Sequence, residues 1–370
     1  MLSPKTKRNL SRIIPFGLIW LLCGWVFLIV EFAAVDNSSD IPSTAIQMDF
    51  NIFIFASLAV MGFGMLVGFF EVIYLDKVFA KKSFTKKILY KLLIYAFIFF
   101  IINLIAFPIA ASLELDTNIF DSRVRDKYFN YLTSITHLST SLQLSVSLGL
   151  SLFYAEISDN IGHGVLMNFF TGKYHQPLEE ERIFMFSDMK SSTTIAEQLG
   201  HIKYFNLLKA YYADLSDAII QYEGEIYQYA GDEIIVSWKY KAGKDNTNCI
   251  RCFFAMKEDL QKRADWYHKK FGLLPTFKAG IHFGKVTTGE IGVIKKEIFF
   301  TGDVLNATAR IQGLCNSYDV DLLISADLIN NLQLGSEFQV TSMGATELRG
   351  KKESIELYTI VMKCESYCLK

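Results

Sequence analysis

The sequence carries almost no net charge, since its 37 lysines and arginines are balanced by 38 aspartates and glutamates. A protein that binds nucleic acid through the phosphate backbone needs a strongly basic surface. The balanced charge therefore predicts no nucleic-acid partner. Internal repeats and low-complexity segments are absent as well.

Cysteine is scarce, with six residues in the chain, and only Cys249 and Cys252 stand at a C-x-x-C spacing. A zinc site of this type needs a second C-x-x-C or C-x-x-H pair, and the sequence has none. The residues around the pair are typical of a helix. We therefore predict reduced cytosolic thiols rather than a metal site or disulfides.

The first 160 residues contain long apolar runs that lack charged residues. The sequence is 51% hydrophobic with a mean hydropathy of +0.25, and the apolar excess lies in the first 160 residues. Uncharged runs of 18 to 22 residues occupy 13–30, 52–70, 92–113 and 138–155. Runs of this length can cross a bilayer, and they predict four transmembrane helices at about 13–34, 50–74, 90–113 and 138–158. No run contains the lysine of a retinal Schiff base or a histidine for haem.

The charges between these runs predict the orientation. Residues 31–51 contain no lysine or arginine, whereas the amino end and residues 77–91 are rich in them. By the positive-inside rule the last two are cytoplasmic. Four spans then place the carboxyl half in the cytoplasm, as in a multi-pass protein of the cell inner (plasma) membrane. No cleavage pattern follows the first run, so we expect a retained anchor.

We predict a membrane domain at 1–158, a coupling linker at 159–180, a soluble domain at 181–363 and a tail at 364–370. The linker contains an apolar stretch at 165–170 that favours a short helix. Within the soluble domain the pattern predicts strands at 182–187, 276–284, 297–301, 321–325 and 354–360, a hairpin at 225–238, and helices at 192–222 (with a break near Gly200), 247–271 and 303–316. The core order β-α-β-β-α-β is that of an α+β, ferredoxin-like domain.

Two aspartates stand where apolar strands end. Asp188 follows the strand 182–187, and Asp232 occupies the tight turn of the hairpin. A strand, a crossover helix and a hairpin can bring both carboxylates to one edge of a sheet. Paired carboxylates suit a hard divalent cation, so this edge is a candidate site for Mg²⁺ or Mn²⁺.

A third motif opens the helix 303–316. Asn306 and Arg310 are four residues apart and share one helical face, where an arginine could meet a phosphoryl group. The three segments are Phe186-Ser-Asp-Met-Lys-Ser-Ser-Thr193, Tyr229-Ala-Gly-Asp232 and Thr301-Gly-Asp-Val-Leu-Asn306-x-x-x-Arg310. Together, in this order, they resemble the class III nucleotidyl cyclases over roughly 181–361.

The resemblance implies a catalytic domain that pairs head to tail, with each active site built from both copies. It implies that Asp188, Asp232 and the backbone carbonyl of Met189 bind two Mg²⁺ or Mn²⁺ ions per site. Asn306 would orient the ribose and Arg310 would neutralise the α-phosphate, both from the opposite copy. Arg349 falls where the family has a lysine that binds the terminal phosphates, and Lys351 is a second candidate for that role.

The expected activity is in-line attack of the ribose 3′-hydroxyl of ATP on the α-phosphorus, which expels pyrophosphate and forms 3′,5′-cyclic AMP. Gln228 and Phe299 occupy the family's two base-selecting positions and match neither the adenine nor the guanine pattern. Because glutamine both donates and accepts hydrogen bonds, a guanylate cyclase is the alternative. An inactive cyclase-like sensor and a diguanylate cyclase, suggested by Ala230-Gly-Asp-Glu-Ile234, are further alternatives.

Overall fold

The computed structural model describes residues 3–36, 50–79, 82–115, 117–348 and 354–363. The chain forms two compact units, one of Thr6–Met167 and one made chiefly of the residues from Asn168 onward. The first is helical and the second is an α+β domain built on an eight-stranded sheet.

The helical unit contains long helices joined by short segments. Its elements are α1 (Pro4–Asp36), α2 (Phe50–Phe70), a π-helical turn (Glu71–Leu75), α3 (Asp76–Phe79), α4 (Phe84–Glu114), α5 (Ser122–Leu132), α6 (Ile135–Ile161) and α7 (His163–Thr171). Phe16, Trp20, Val67, Leu148 and Leu152 form its buried core. This core is small, and many large apolar side chains remain exposed around it.

Three helical stretches are long and apolar enough to cross a membrane: Pro4–Val30, Ala56–Phe79 and His137–Ile161. They correspond to the first, second and fourth predicted spans. The third predicted span lies within α4, which is helical as expected but is not among these three in the part of the chain that the structure describes. A bundle of four spans therefore remains a prediction.

The helix α5 was not predicted from the sequence. In α5 the side chain of Asp121 caps the amino end by accepting a hydrogen bond of 2.8 Å from the backbone N–H of Arg123. Val124 and Tyr128 form its buried side. The helix α7 covers the apolar stretch that predicted a short linker helix.

The core of the second unit has the predicted β-α-β-β-α-β order, and α10, α14 and β7 are additional elements. Its elements are β1 (Leu178–Met189), α8 (Ser192–Leu199), α9 (His201–Gln221), β2 (Glu225–Ala230), β3 (Glu233–Lys239), α10 (Tyr240–Lys244), α11 (Asn248–Lys262), α12 (Ala264–Phe271), β4 (Phe277–Ile291), β5 (Glu297–Thr301), α13 (Asp303–Gly313), β6 (Leu322–Ser325), α14 (Ala326–Ile329), β7 (Phe338–Glu347) and β8 (Ser354–Met362). Short 3₁₀ turns precede α11 and follow α13.

The sheet runs β2-β3-β1-β4-β6-β8-β7, with β5 paired to β4. Its first four strands have the ferredoxin-like order, and β1 lies between antiparallel partners β3 and β4. Residues of β1 alternate between two cores, as the two-residue period of a strand requires. Ile183 and Met185 face the helices α9 and α11, while Phe184 and Phe186 face the opposite side. The central position of β1 explains why its apolar run is nearly continuous.

Candidate active site

Asp188 stands at the carboxyl end of β1, between its two neighbouring strands. Its Cα pairs with Glu233 on β3 and with Lys278 on β4. Six consecutive buried residues, 182–187, precede it in β1. The buried strand therefore fixes the carboxylate at the rim of the sheet, where its side chain is 29% exposed.

Asp232 lies in the tight turn between β2 and β3, directly after Gly231. Gly231 adopts a φ of +67°, which glycine accepts more readily than residues with a side chain. The hydroxyl of Tyr212 on α9 donates a hydrogen bond of 2.8 Å to the carbonyl of Gly231. Its ring also contacts that of Tyr229, with the two centroids 4.5 Å apart. Tyr212 thus holds the turn that presents Asp232.

The two aspartates lie together, as the sequence predicts. Burial and the neighbouring Asp232 raise the pKa of Asp188 to about 6, and the ammonium group of Lys278 opposes this rise. The Nζ atom of Lys278 lies 3.6 Å from Oδ2 of Asp188. Burial also raises the pKa of Glu233, and both aspartates contribute to that rise. The edge therefore concentrates negative charge that one lysine only partly offsets.

This arrangement fits divalent cations. Oδ2 of Asp232 is buried and has no hydrogen-bond partner in the described structure. A buried carboxylate oxygen without a partner is costly, and a cation would supply the missing interaction. No group of three or more His, Cys, Asp or Glu residues suited to a metal occurs among the described residues. The two aspartates would therefore need further ligands from backbone carbonyls and phosphate oxygens. Met189 has a buried side chain, so only its backbone could contribute.

Asn306 and Arg310 lie on the outer side of α13. Val304, Ala307, Thr308 and Ile311 form the buried side of this helix. Asn306 is exposed and Arg310 is half-buried. Neither makes a hydrogen bond or ion pair with Asp188 or Asp232 within the described part of the chain. Within one copy of the chain, Asn306 and Arg310 therefore do not contact the two aspartates.

Helix α13 packs very closely on the sheet because position 280 of β4 is glycine. A Cβ at Gly280 would stand 2.4 Å from the backbone nitrogen of Gln312. This close packing brings the side chain of Gln312, which is 7% exposed, to Asp188. Its Nε2 donates a hydrogen bond of 3.5 Å to Oδ2 of that aspartate.

Gln228 and Phe299, the two positions predicted to select the base, flank a contact between β2 and β5. The rings of Tyr227 and Phe300 have centroids 4.8 Å apart, and the next residues in the chain are Gln228 and Phe299. Gln228 is exposed, and Phe299 is 45% exposed despite its size. Both side chains are thus accessible to a ligand. Arg349 and Lys351 lie outside the described residues.

Sequence reasoning missed three residues of this site. Lys278 and Gln312 reach Asp188 from β4 and α13, and Tyr212 holds the Asp232 turn. None belongs to a motif, and the contacts of Lys278 and Gln312 with Asp188 join elements far apart in the sequence. Cys249 and Cys252, by contrast, are fully buried in α11, within the main core.

Comparison with known proteins agrees with this geometry. The family model described as the adenylate and guanylate cyclase catalytic domain matches residues 174–362, which is more than half of the 370-residue chain. Adenylate cyclase 2 of Rhizobium meliloti (strain 1021) is 32% identical over 209 residues, which are 56% of this chain and 58% of that protein. An adenylate cyclase of Anabaena cylindrica is 28% identical over 183 residues, which are 48% of this chain and 36% of that protein.

Among solved structures, a bacterial light-regulated adenylyl cyclase matches with a TM-score of 0.53 and 21% identity. The match covers 62% of this chain and 67% of that one. At this level of identity the match supports the fold alone. The chain spans little more than half the length of its Rhizobium relative.

Proposed function

Because the chain belongs to the family of adenylate and guanylate cyclase catalytic domains, we propose that it is a membrane-bound adenylate cyclase. It converts ATP into 3′,5′-cyclic AMP and pyrophosphate. The observation that carries this proposal is the pairing of Asp188 with Asp232 at one sheet edge, with an unpartnered buried oxygen. The names of the Rhizobium and Anabaena relatives support ATP over GTP.

The residues of this chain then have distinct tasks. Asp188 and Asp232 would hold two Mg²⁺ or Mn²⁺ ions, with the carbonyl of Met189 as a further ligand. When bound, these ions lower the pKa of the attacking 3′-hydroxyl and neutralise charge on the triphosphate. Lys278 and Gln312 keep the Asp188 carboxylate oriented. Most of the rate enhancement in phosphoryl transfer comes from such positioning and charge neutralisation.

Asn306 and Arg310 complete the site from a second copy of the chain. Asn306 orients the ribose, and Arg310 stabilises negative charge that develops on the α-phosphate. Their accessibility supports this role, since neither contacts the aspartates of its own copy. In a twofold dimer a contact between one group of the first copy and another group of the second copy occurs twice, so two equivalent composite sites form. Arg349 and Lys351 bind the terminal phosphates.

The helical unit anchors the enzyme in the cell inner (plasma) membrane. The three long apolar helices support this placement. The lysines of the connection at 77–91 support a cytoplasmic position for the amino end and the catalytic domain. ATP is then available to the site from the cytoplasm.

Product identification tests the proposal. Purified full-length protein is incubated with Mn²⁺ and either ATP or GTP, and the products are separated and identified by mass. We expect cyclic AMP from ATP, at a higher kcat/KM than for cyclic GMP from GTP. Asp232→Ala is the matched control and should give neither product. Cyclic GMP as the main product would favour the guanylate alternative, to which the accessible Gln228 is suited. A cyclic dinucleotide or no product would overturn the proposal.

A further inference from the structure

Arg182, in the middle of β1, is a buried cation with an unusually complete set of partners. Its side chain is 2% exposed. The Nε atom donates to Glu180 at 2.8 Å, and Nη1 donates to Glu225 at 2.8 Å and to Ser237 at 3.0 Å. A buried guanidinium is tolerated only when acids and hydrogen bonds compensate for lost hydration. These residues, together with Tyr174, form the Arg182 cluster.

The cluster lies directly behind the two base-selecting positions. The guanidinium carbon of Arg182 is 4.6 Å from the centroid of the Phe300 ring. Phe300 in turn packs on Tyr227, whose hydroxyl lies 3.5 Å from the backbone nitrogen of Phe300. Phe300 is the neighbour of Phe299 in β5, and Tyr227 is the neighbour of Gln228 in β2. Tyr227 lies at the register shift of β2 between Ile226 and Gln228, so the packing of Tyr227 on Phe300 constrains the backbone that carries Gln228 and Phe299.

Glu225 strengthens this connection, because it is the first residue of β2. Its ion pair with Arg182 fixes the beginning of the strand whose fourth residue is Gln228. The side chain of Glu225 is 58% exposed, so its replacement does not open the core. Arg182 therefore touches both strands of the base site, through an ion pair on β2 and a ring contact on β5.

The cluster also includes a residue that precedes the catalytic sheet. Tyr174 is 2% exposed, and Nη2 of Arg182 lies 3.4 Å from its hydroxyl. That hydroxyl also lies 3.3 Å from Glu180 and accepts a hydrogen bond of 2.6 Å from Lys173. The carbonyl of Tyr174 accepts a hydrogen bond of 2.9 Å from the backbone N–H of Glu290 in β4. The segment that follows α7 is thus part of the support for the base site.

We propose that Tyr174 and Arg182 are positioning residues that set the spacing of Gln228 and Phe299, and hence the fit of the purine ring. The inference rests on the proposed cyclase function. It assigns nucleotide selection partly to residues that do not touch the nucleotide. Gln228 and Phe299 match neither the adenine nor the guanine pattern of the family, so their residue types alone do not select the base. The distance between β2 and β5 then decides which edge of the purine the two side chains can contact.

The test measures KM and kcat for ATP and for GTP with full-length protein in membranes. Tyr174→Phe removes one hydroxyl, and Glu225→Gln removes one exposed charge. We expect each to raise KM for ATP at least about threefold, which corresponds to roughly 0.7 kcal/mol, with kcat changed less than about twofold. The ratio of kcat/KM for ATP to that for GTP should change as well. Arg182→Lys should change KM for ATP and the ATP-to-GTP ratio of kcat/KM more strongly, because an ammonium group cannot reproduce the several hydrogen bonds of the planar guanidinium.

Tyr267→Phe is the matched control. Tyr267 is fully buried, and its hydroxyl donates a hydrogen bond of 2.7 Å to Asp214, outside the Arg182 cluster. This variant should lower the midpoint of thermal unfolding without changing KM or the nucleotide ratio. If Tyr174→Phe and Glu225→Gln lower that midpoint and leave KM and the ratio at wild-type values, the cluster is merely structural and the inference is overturned. Wild-type protein without cyclase activity would instead overturn the proposed function.

Discussion

Replacement of Asp188 by asparagine should stabilise the metal-free protein while it removes metal-dependent activity. Burial and the nearby Asp232 raise the pKa of Asp188 from 3.8 to about 6. The folded state therefore holds this proton more tightly than the unfolded state. Folding stability falls as pH rises between these two values, and the loss persists at neutral pH. Asparagine carries no charge and avoids this loss.

The size of the effect follows from the shift. The rise in the pKa of Asp188 from 3.8 to about 6 corresponds to a loss of about 3 kcal/mol in the free energy of unfolding, at 1.36 kcal/mol for each unit of pKa. The Asp188 side chain is 29% exposed, so solvent screening reduces this figure, and we expect a gain of about 1–2 kcal/mol. Asparagine retains an oxygen that can accept the hydrogen bond from Gln312. For a domain of this size the gain raises the unfolding midpoint by roughly 2–8 °C.

Thiol labelling measures this gain in the catalytic unit alone. Cys249 and Cys252 are fully buried in α11, so a labelling reagent reaches them only when the unit unfolds. The protein is treated with a chelator and exposed to increasing concentrations of urea. Mass spectrometry then measures the labelled fraction of the peptide that contains both cysteines, which reports unfolding of the catalytic unit. The gain should be largely lost near pH 4, where Asp188 is protonated in the folded wild-type protein; at this pH the labelling reagent is a dipyridyl disulfide, which reacts with thiols in acid.

Asp321→Asn is the control with the opposite sign. Burial alone would raise the pKa of Asp321, but Lys190 and Lys257 lower it below its usual value. Loss of this charge should destabilise the protein at neutral pH. If Asp188→Asn also destabilises the chelated protein at pH 7.5, the electrostatic account of the carboxylate pair is refuted.

Three further changes test other parts of the site. Tyr212→Phe should raise the Mn²⁺ concentration needed for half-maximal activity severalfold, because its hydroxyl no longer holds the Gly231 carbonyl; electron paramagnetic resonance of bound Mn²⁺ without nucleotide should show the same shift. Arg310→Ala should lower kcat by about 10² or more and leave the unfolding midpoint within about 1 °C of wild type, since no described ion pair is lost. Gly280→Ala should destabilise the fold by about 2 kcal/mol or more, because its Cβ would meet the Gln312 backbone; urea denaturation checks this, and unchanged stability would contradict the close packing.

The strands that carry the aspartates were predictable from the sequence because their patterns are strong. β1 has a continuous apolar run that ends at Asp188, and the Gly231-Asp232 turn marks the hairpin. The paired position of the two carboxylates then followed from the order of elements. The break between α8 and α9 at Gly200 was predicted as well, and Gly200 has a φ of +70°.

Other elements gave weaker signals. β7 was missed because it pairs only with β8, is largely exposed, and is interrupted by a register shift between Ser342 and Gly344. It lacks the apolar alternation that marks a half-buried strand. The contacts of Gln312 and Lys278 with Asp188 depend on how closely α13 packs on β4. Sequence patterns predict elements, but they do not predict that distance.

Mixed dimers test the central claim most directly, which is that one copy supplies the aspartates and the other supplies the arginine. Chains with Asp232→Ala and chains with Arg310→Ala, each inactive alone, are co-expressed with different tags, and the doubly tagged dimers are counted. Random pairing leaves about a quarter of all sites intact, so activity should recover to about that fraction of wild type. Doubly tagged dimers that form in normal amounts and remain inactive would contradict the composite site.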